Sequence, residues 1–260
     1  MKKFILIICF LITTIFTFAQ LEIGVFGGGS FYMGDINPNK PFLQTSIAYG
    51  ALGRYPLGSR WAVKVNLYKG ILNGSDKIAK YNEDRSLEFT SSIWELGGVV
   101  EFNFLPYFTG SMKNYFTPYI FGGVATLYHR PKIGNLDLRD YRTENTYYSY
   151  YALSIPFGIG VKYSFSKRIA ASLEWGMRKT FTDYIDDVST TYYLDPSNPD
   201  QLNDEQLESL QFSDPNRNHK PDMQRGNSKT NDWYSFAGLT LTYNINMTNR
   251  NKCSDYENRY

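Results

Sequence analysis

Between Leu153 and Phe165 the chain reads Leu-Ser-Ile-Pro-Phe-Gly-Ile-Gly-Val-Lys-Tyr-Ser-Phe, an unbroken period-two pattern. Leu153, Ile155, Phe157, Ile159, Val161, Tyr163 and Phe165 fall on one face. Ser154, Pro156, Gly158, Gly160, Lys162 and Ser164 fall on the other. The apolar face ends in aromatics, and the opposite face is small or polar and carries a charge. A lysine facing inward from a wholly apolar outer face suits a wet or salt-bridged interior and not a dry sandwich core. A short link, Ser166-Lys167-Arg168, leads into a second such stretch. There Ile169, Ala171, Leu173, Trp175 and Met177 face one way, and Ala170, Ser172, Glu174, Gly176 and Arg178 the other. Glu174 and Arg178 share a face with Lys162 and with Glu101 further upstream, so these four are read as an interior charge network.

Working outward, six more segments follow the rule less purely. In the first, Leu21 to Gly34, Ile23, Val25, Phe31 and Met33 point out, with Glu22 and Tyr32 in. The second runs from Thr45 to Tyr55, with Ile47 and Tyr49 out, and Ser46 and Arg54 in. The third sets Trp61, Val63, Val65 and Leu67 against Lys64, Asn66 and Tyr68. The fourth, near Leu87 to Phe104, puts Val100, Phe102 and Phe104 out and Glu101 and Asn103 in; its phase blurs at Gly97-Gly98, where a bulge is expected. The fifth, Thr117 to Tyr128, is read with Tyr119, Phe121 and Leu127 out. The eighth, Trp233 to Ile245, has Leu239, Leu241, Tyr243 and Ile245 out, and Thr240, Thr242 and Asn244 in. Such segments are longer than the ~5–6 residues of globular strands and reach the ~9–11 of a tilted transmembrane strand. Connections alternate between short ones of roughly three to twelve residues and long ones of roughly ten to fifty. The expectation is an all-β, transmembrane, antiparallel up-and-down β-barrel of about eight strands, with short periplasmic turns and long extracellular loops. An even strand count places both termini in the periplasm. Aromatic girdles are expected from Trp61, Tyr55, Tyr107, Tyr115 and Phe116 at the inner end, and from Trp94, Tyr148, Tyr150, Tyr151, Trp233 and Tyr234 at the outer.

Composition agrees. Aromatic residues are 17% of the 260, with 22 Tyr and 18 Phe, yet mean hydropathy is below zero. After residue 18 no apolar run approaches the length of a membrane helix. The basic head Met1-Lys2-Lys3, the apolar run Phe4–Phe18 and the small Ala19 read as a secretory signal peptide over 1–19. Residues 20–245 then form the barrel and 246–260 a polar periplasmic tail. Cys9 lies within the leader, too close to its start for a lipoprotein cysteine. Cys253 is left single, which excludes an internal disulfide and leaves an intermolecular bridge, a reactive thiol or an unused one. A net charge of +2 without a basic run carries no nucleic-acid footprint.

The chemistry-bearing residues are sparse. Lipid-modifying barrel enzymes need a His, a Ser and an acid converging near the outer rim. His129 and His219, the two histidines, fall in loops and are read by default as solvated. Asp183, Asp186 and Asp187 lack the Gly-centred spacing of a calcium loop and read as a solvated or loop-ordering acidic cluster. Gly27-Gly28-Gly29-Ser30 is not followed by Gly-Lys-Ser/Thr, so close strand packing is its expected use. One helix is expected in the last loop, Asp204 to Gln211, capped by Asn203. An eight-stranded barrel is just wide enough to be filled by side chains, which disfavours a pore. No catalytic residue, cofactor or metal site is assigned.

Taken in order, several segments resemble the PorG-type outer-membrane barrels of the type IX secretion system of Bacteroidetes. They are Glu22-Ile-Gly-Val-Phe-Gly-Gly-Gly-Ser-Phe-Tyr-Met-Gly-Asp35, Gly53-Arg-Tyr-Pro56, Thr117-Pro-Tyr-Ile-Phe-Gly-Gly-Val124, Ile155-Pro-Phe-Gly-Ile-Gly-Val-Lys-Tyr163, Trp175 to Ser189 and Arg225-Gly-Asn227. The resemblance implies a non-enzymatic component of a protein-export machine linked to gliding motility. Its implied partners are membrane lipids and a periplasmic ring built from a lipoprotein and a second subunit. The implied contact surfaces are the turn bearing Pro106, Phe108, Lys113 and Tyr115, and the tail with Cys253, which could bridge to the ring lipoprotein. A lipid-modifying enzyme and a general envelope or adhesion barrel are the competing readings.

Overall fold

The computed structural model describes residues 21–245; the leader 1–19, the tail 246–260 and Cys253 lie outside them. Strands and helices are numbered in chain order. Eight long strands, β1 (Leu21–Met33), β2 (Ser46–Pro56), β3 (Trp61–Ser75), β4 (Glu88–Asn103), β5 (Phe116–Tyr128), β8 (Tyr151–Ser164), β9 (Ile169–Thr180) and β10 (Trp233–Ile245), pair antiparallel in order. The β1–β10 pairing runs from Leu21↔Ile245 to Met33↔Trp233 and closes the ring, leaving no free edge among these strands. A small hairpin, β6 (Pro131–Ile133) with β7 (Leu136–Asp137), leans on β4 beyond the rim. The helices are α1 (Asp76–Ala79), α2 (Leu138–Tyr141) and α3 (Asp204–Ser213). Asn203 caps α3 through a reciprocal capping box with Gln206. No helix among the described residues is long and apolar enough to cross a membrane.

The outer face is a continuous apolar band. Ile23, Val25, Ile47, Val65, Leu67, Leu96, Val124, Leu153, Ile159, Leu173, Leu239 and Leu241 are all exposed there. So many exposed aliphatics in a closed sheet have one favourable environment, the acyl region of a bilayer. This is an outer-membrane-type β-barrel. Short turns at 57–60, 104–115 and 165–168 lie at one end; loops 34–45, 76–87, 129–150 and 181–232 lie at the other. The loop after β3 is shorter than the sequence suggested because β3 and β4 pair beyond the apolar segment, as far as Ser75↔Glu88.

Four phase expectations need correction. In β5 the faces are reversed: Tyr119, Phe121 and Leu127 are buried inside while Ile120 and Val124 face outward. In β4 no bulge occurs at Gly97-Gly98; both pair one-to-one with β3 and β5, and burial alternates through them. Phe31 takes the outward phase but is buried, because Phe42 from loop 34–45 folds over it with ring centroids 4.4 Å apart. The girdles lose Tyr107, Tyr148 and Tyr234, which turn inward for hydrogen bonds, and keep Trp61, Trp94, Tyr115, Phe116 and Tyr151 at the surface. The glycines of β1 behave as expected at the β1–β10 seam: a Cβ on Gly28 would lie 2.2 Å from the Ala237 carbonyl oxygen.

Inside, nearer the long loops, an apolar cluster forms a dry zone: Phe26, Tyr68, Phe236, Tyr32, Phe89, Ile93 and Leu127 pack with Ile36, Leu87, Leu138, Ile185 and Val188 from the loops. Nearer the short turns the interior is ionic, and the charges reach up into the apolar cluster with Arg178, opposite Tyr234, and Glu95, opposite Leu127.

Candidate functional site

The ionic zone is a ladder of buried pairs. Glu101 of β4 is its lower node, held by Arg54 Nε at 2.8 Å, Lys162 Nζ at 2.6 Å and Lys64 Nζ at 3.5 Å. Arg54 also reaches Glu22 at 3.1 Å. One rung up, Glu174 accepts from Lys64 at 2.7 Å, from the Tyr119 hydroxyl at 2.9 Å and from the Tyr68 hydroxyl at 3.2 Å. Above it, Glu95 accepts from Arg178 Nε at 3.0 Å, Tyr234 at 2.7 Å and Asn66 at 2.8 Å. Lys162 also sits 4.3 Å from the Tyr119 ring, and Lys64 4.8 Å from that of Phe121. Four glutamates thus face Arg54, Lys64, Lys162 and Arg178, all buried. Burying a charge is tolerable only with such partners. The strand register sets each rung: Glu22 is opposite Arg54 in the β1–β2 pairing, and Lys162 and Glu174 sit at inward positions of adjacent β8 and β9.

All four residues expected in the network, Glu101, Lys162, Glu174 and Arg178, line this interior. Lys162 meets Glu101 directly. Glu174 and Arg178 do not pair with each other among the described residues; each takes a partner from across the lumen. Glu22, Arg54 and Lys64, which carry the inward phase in the sequence, extend the network beyond the expected four. Glu95 extends it further, and counting back in twos from Glu101 reaches it in the sequence.

Both ends are closed by the chain itself. At the short-turn end, 104–115 folds under the barrel: the Thr109 hydroxyl donates to Glu22, Tyr107 lies 3.4 Å from Thr109, and the Gly110 N–H donates to Ser164 at 2.8 Å. On the same turn Lys113 and Tyr115 stay exposed, while Pro106 and Phe108 are half-buried. At the other end two arginines tie the long loops together. Arg85 binds the Asp76 carboxylate at 2.7 Å and the carbonyls of Asp35 and Arg225 at 3.0 and 2.5 Å. Arg225 binds Glu144 at 2.8 Å and the Asp187 carbonyl at 2.6 Å. Glu144 in turn accepts from the N–H groups of Ser189 and Thr190, both at 2.9 Å.

The acidic cluster is buried and not solvated, which leaves its loop-ordering role. Asp186 accepts from the Tyr32 hydroxyl, which lies 3.1 Å from Asp232. Asp187 accepts from Tyr148 at 2.7 Å and Thr143 at 2.5 Å. Burial pushes Asp183 up to about 8, and Asp187 up to about 6 in spite of nearby Arg225. Burial, reinforced by neighbouring carboxylates, raises Asp186 and Asp232. His129 is likewise buried against Tyr148 and not solvated, and burial holds its imidazole down at about 4. His219 stacks on Tyr192 and pairs with Asp214 at 2.9 Å; no serine hydroxyl binds it among the described residues. No group of three or more His, Cys, Asp or Glu side chains is placed to hold a metal ion among the described residues.

Solved structures similar to this chain are outer-membrane barrels. The N-terminal β-barrel domain of Pseudomonas aeruginosa OprF matches at 12% identity and TM-score 0.40, covering 88% of this chain and all of that one. Neisserial surface protein A matches at 7% identity and TM-score 0.44, covering 87% and 97%. The outer membrane protein OprG of Pseudomonas aeruginosa matches at 10% identity and TM-score 0.38, covering 87% and 95%. Among curated protein sequences nothing matches. A family model does match residues 1–254, and the chain belongs to that family, described as Domain of unknown function (DUF6089).

Proposed function

We propose that this protein is a non-enzymatic, non-conducting barrel of the outer membrane that anchors a periplasmic assembly, with its short turns and both termini on the periplasmic side. One observation carries the reading: the lumen is filled by ion pairs and rings along its length and closed by the chain at both ends. A barrel without a passage acts through its rims. Buried His129 offers no accessible general base, which argues against lipid modification. The resemblance to PorG-type barrels supplies the assembly, the ring lipoprotein and second ring subunit of a type IX secretion system. The contact surface would be the turn with Pro106, Phe108, Lys113 and Tyr115, joined by the tail and Cys253.

The test is co-purification of the tagged full chain from detergent-solubilised membranes. Ring proteins are expected to co-elute with the parent and to be lost with Lys113→Glu/Tyr115→Ser, heat-modifiable gel mobility showing that the variant barrel is folded. A parent that elutes without them overturns the reading. Non-reducing gels of Cys253→Ser membranes test the bridge; retention of every cross-linked band removes it. The built cap over loop 181–232 favours a second reading, a surface-contact or envelope barrel. It predicts that cells with the cap deleted lose attachment while the ring proteins still co-elute.

A further inference from the structure

One loop gathers cations onto tyrosine rings directly above the lipid-facing ends of β5 and β8. Tyr128 pairs with Tyr151 across these strands, their ring centroids 5.2 Å apart. Both take the outward phase, continuing the exposed run of Leu153 and Ile155 toward the long loops. Tyr150 follows, 6.0 Å from the Tyr128 ring. The Arg139 guanidinium lies 4.2 Å from the Tyr150 centroid and 5.7 Å from that of Tyr147, while Arg142 lies 4.0 Å from Tyr147. Aliphatic, aromatic and guanidinium groups therefore succeed one another over a single rim. A bilayer presents the same order from acyl chain to interface to charged headgroup.

The charge is unevenly answered. Arg130, Lys132, Arg139 and Arg142 stand against Asp137 and Asp140. Asp137 is committed to Arg130 and to the Tyr150 hydroxyl. Among the described residues no carboxylate forms a salt bridge with Arg139 or Arg142. Arg142 donates through one Nη2 proton to the Tyr147 hydroxyl, and Arg139 keeps its Nε buried. A guanidinium held on a ring in this way is pre-oriented and presents its remaining terminal donors, an arrangement that suits binding of phosphate.

We propose that Arg139 and Arg142 bind the phosphate of an outer-leaflet glycolipid, with Tyr128 and Tyr151 against its acyl chains. The choice of a lipid over a free phosphate follows from the unbroken apolar path below the cations. The leaflet rests on the outward orientation of the long loops given above.

Native mass spectrometry of the full mature chain in detergent tests this, with diphosphoryl lipid A, its dephosphorylated counterpart and inorganic phosphate as probes. The parent is expected to retain diphosphoryl lipid A about tenfold better than the dephosphorylated lipid, with inorganic phosphate not retained. Arg139→Gln/Arg142→Gln is expected to abolish the preference, and Arg142→Gln alone, at an exposed site, to reduce it. Arg130→Gln, whose charge Asp137 already answers, is expected to leave it unchanged. Equal retention of the two lipids, a preference that survives in the double variant, or retention of inorganic phosphate overturns the proposal. Orientation is read separately: loop 181–232 resisting external protease in intact cells, yet cleaved once the membrane is opened, would refute the outward reading while leaving the lipid assay unaffected.

Discussion

Arg178 and Glu95 show what a single buried charge costs here. Each is the other's only ionic partner within 4 Å among the described residues, and both are nearly inaccessible. Removing one leaves an uncompensated buried charge, a loss of about 3–5 kcal/mol, whereas replacing both by neutral groups of similar size is close to neutral. Arg178→Met is therefore expected to lower the unfolding free energy of the detergent-solubilised barrel, extrapolated from a urea titration, by that order. Adding Glu95→Gln is expected to recover most of it. Glu101 is different because three cations share it. Lys162→Met leaves Arg54 and Lys64 in place and is expected to cost less than Arg178→Met when the two are unfolded side by side. The reverse order would mean that the rungs are not the independent pairs their distances describe.

The elements differ in how far their residues announce them. β8 and β9 were legible because their outward faces are uninterrupted apolar runs and their inward faces carry small residues and a charge. β5 was misread because hydrophobicity is heavier on its inner face. Tyr119 and Phe121 are there to receive cations and Leu127 to fill the dry zone, while Gly122 and Thr126 dilute the lipid face. Tyrosine serves both the membrane interface and an ion ladder, so its side cannot be read from its type alone. Loop 181–232 was illegible for another reason: a polar composition is common to loose and built loops, and what builds this one is distant, Arg225 to Glu144 and Arg85 to the Arg225 carbonyl. Arg225→Gln is expected to expose this loop to protease while the barrel keeps its heat-modifiable gel mobility. The same cap carries a pH signature. Asp183 and Asp187 have folded values of about 8 and 6, above an ordinary aspartate near 3.8. The folded loop therefore holds protons that the unfolded one releases. Their contribution is complete below pH about 4 and is lost as pH rises through 6 and then 8. His129, held at about 4, acts oppositely, its contribution lost as pH falls from about 6.5 toward 4. Above pH 7 the changes of His129 and Asp187 are complete and Asp183 still varies, alongside the raised Asp186 and Asp232, so cleavage within 181–232 should accelerate from pH 7 to 9. Asp183→Asn should reduce that rise; an unchanged slope would remove Asp183 as a source.

For the whole molecule, the decisive property is that closure is redundant. The cap, the apolar cluster with the ion ladder that runs up into it, and the Tyr107–Thr109 turn succeed one another along one lumen. Elements in series block flow even when one is taken away, so no single lesion should make a channel. Deleting the cap is expected to leave planar-bilayer recordings silent, because Phe26, Tyr68 and Phe236 still stack across the bore and Glu174 still spans it to Lys64. Small replacements at Arg54, Lys64, Lys162 and Glu101 in the intact chain should also be silent, since the dry zone and cap remain. Steps of conductance are expected only when the cap, the ladder and the Phe26–Phe236 contact are opened together. In the anchoring role proposed above, strain applied to one rim by a bound partner would leave the membrane sealed. Conductance from the unmodified protein, or from the cap deletion alone, would reverse the argument and return the lumen to the list of working surfaces.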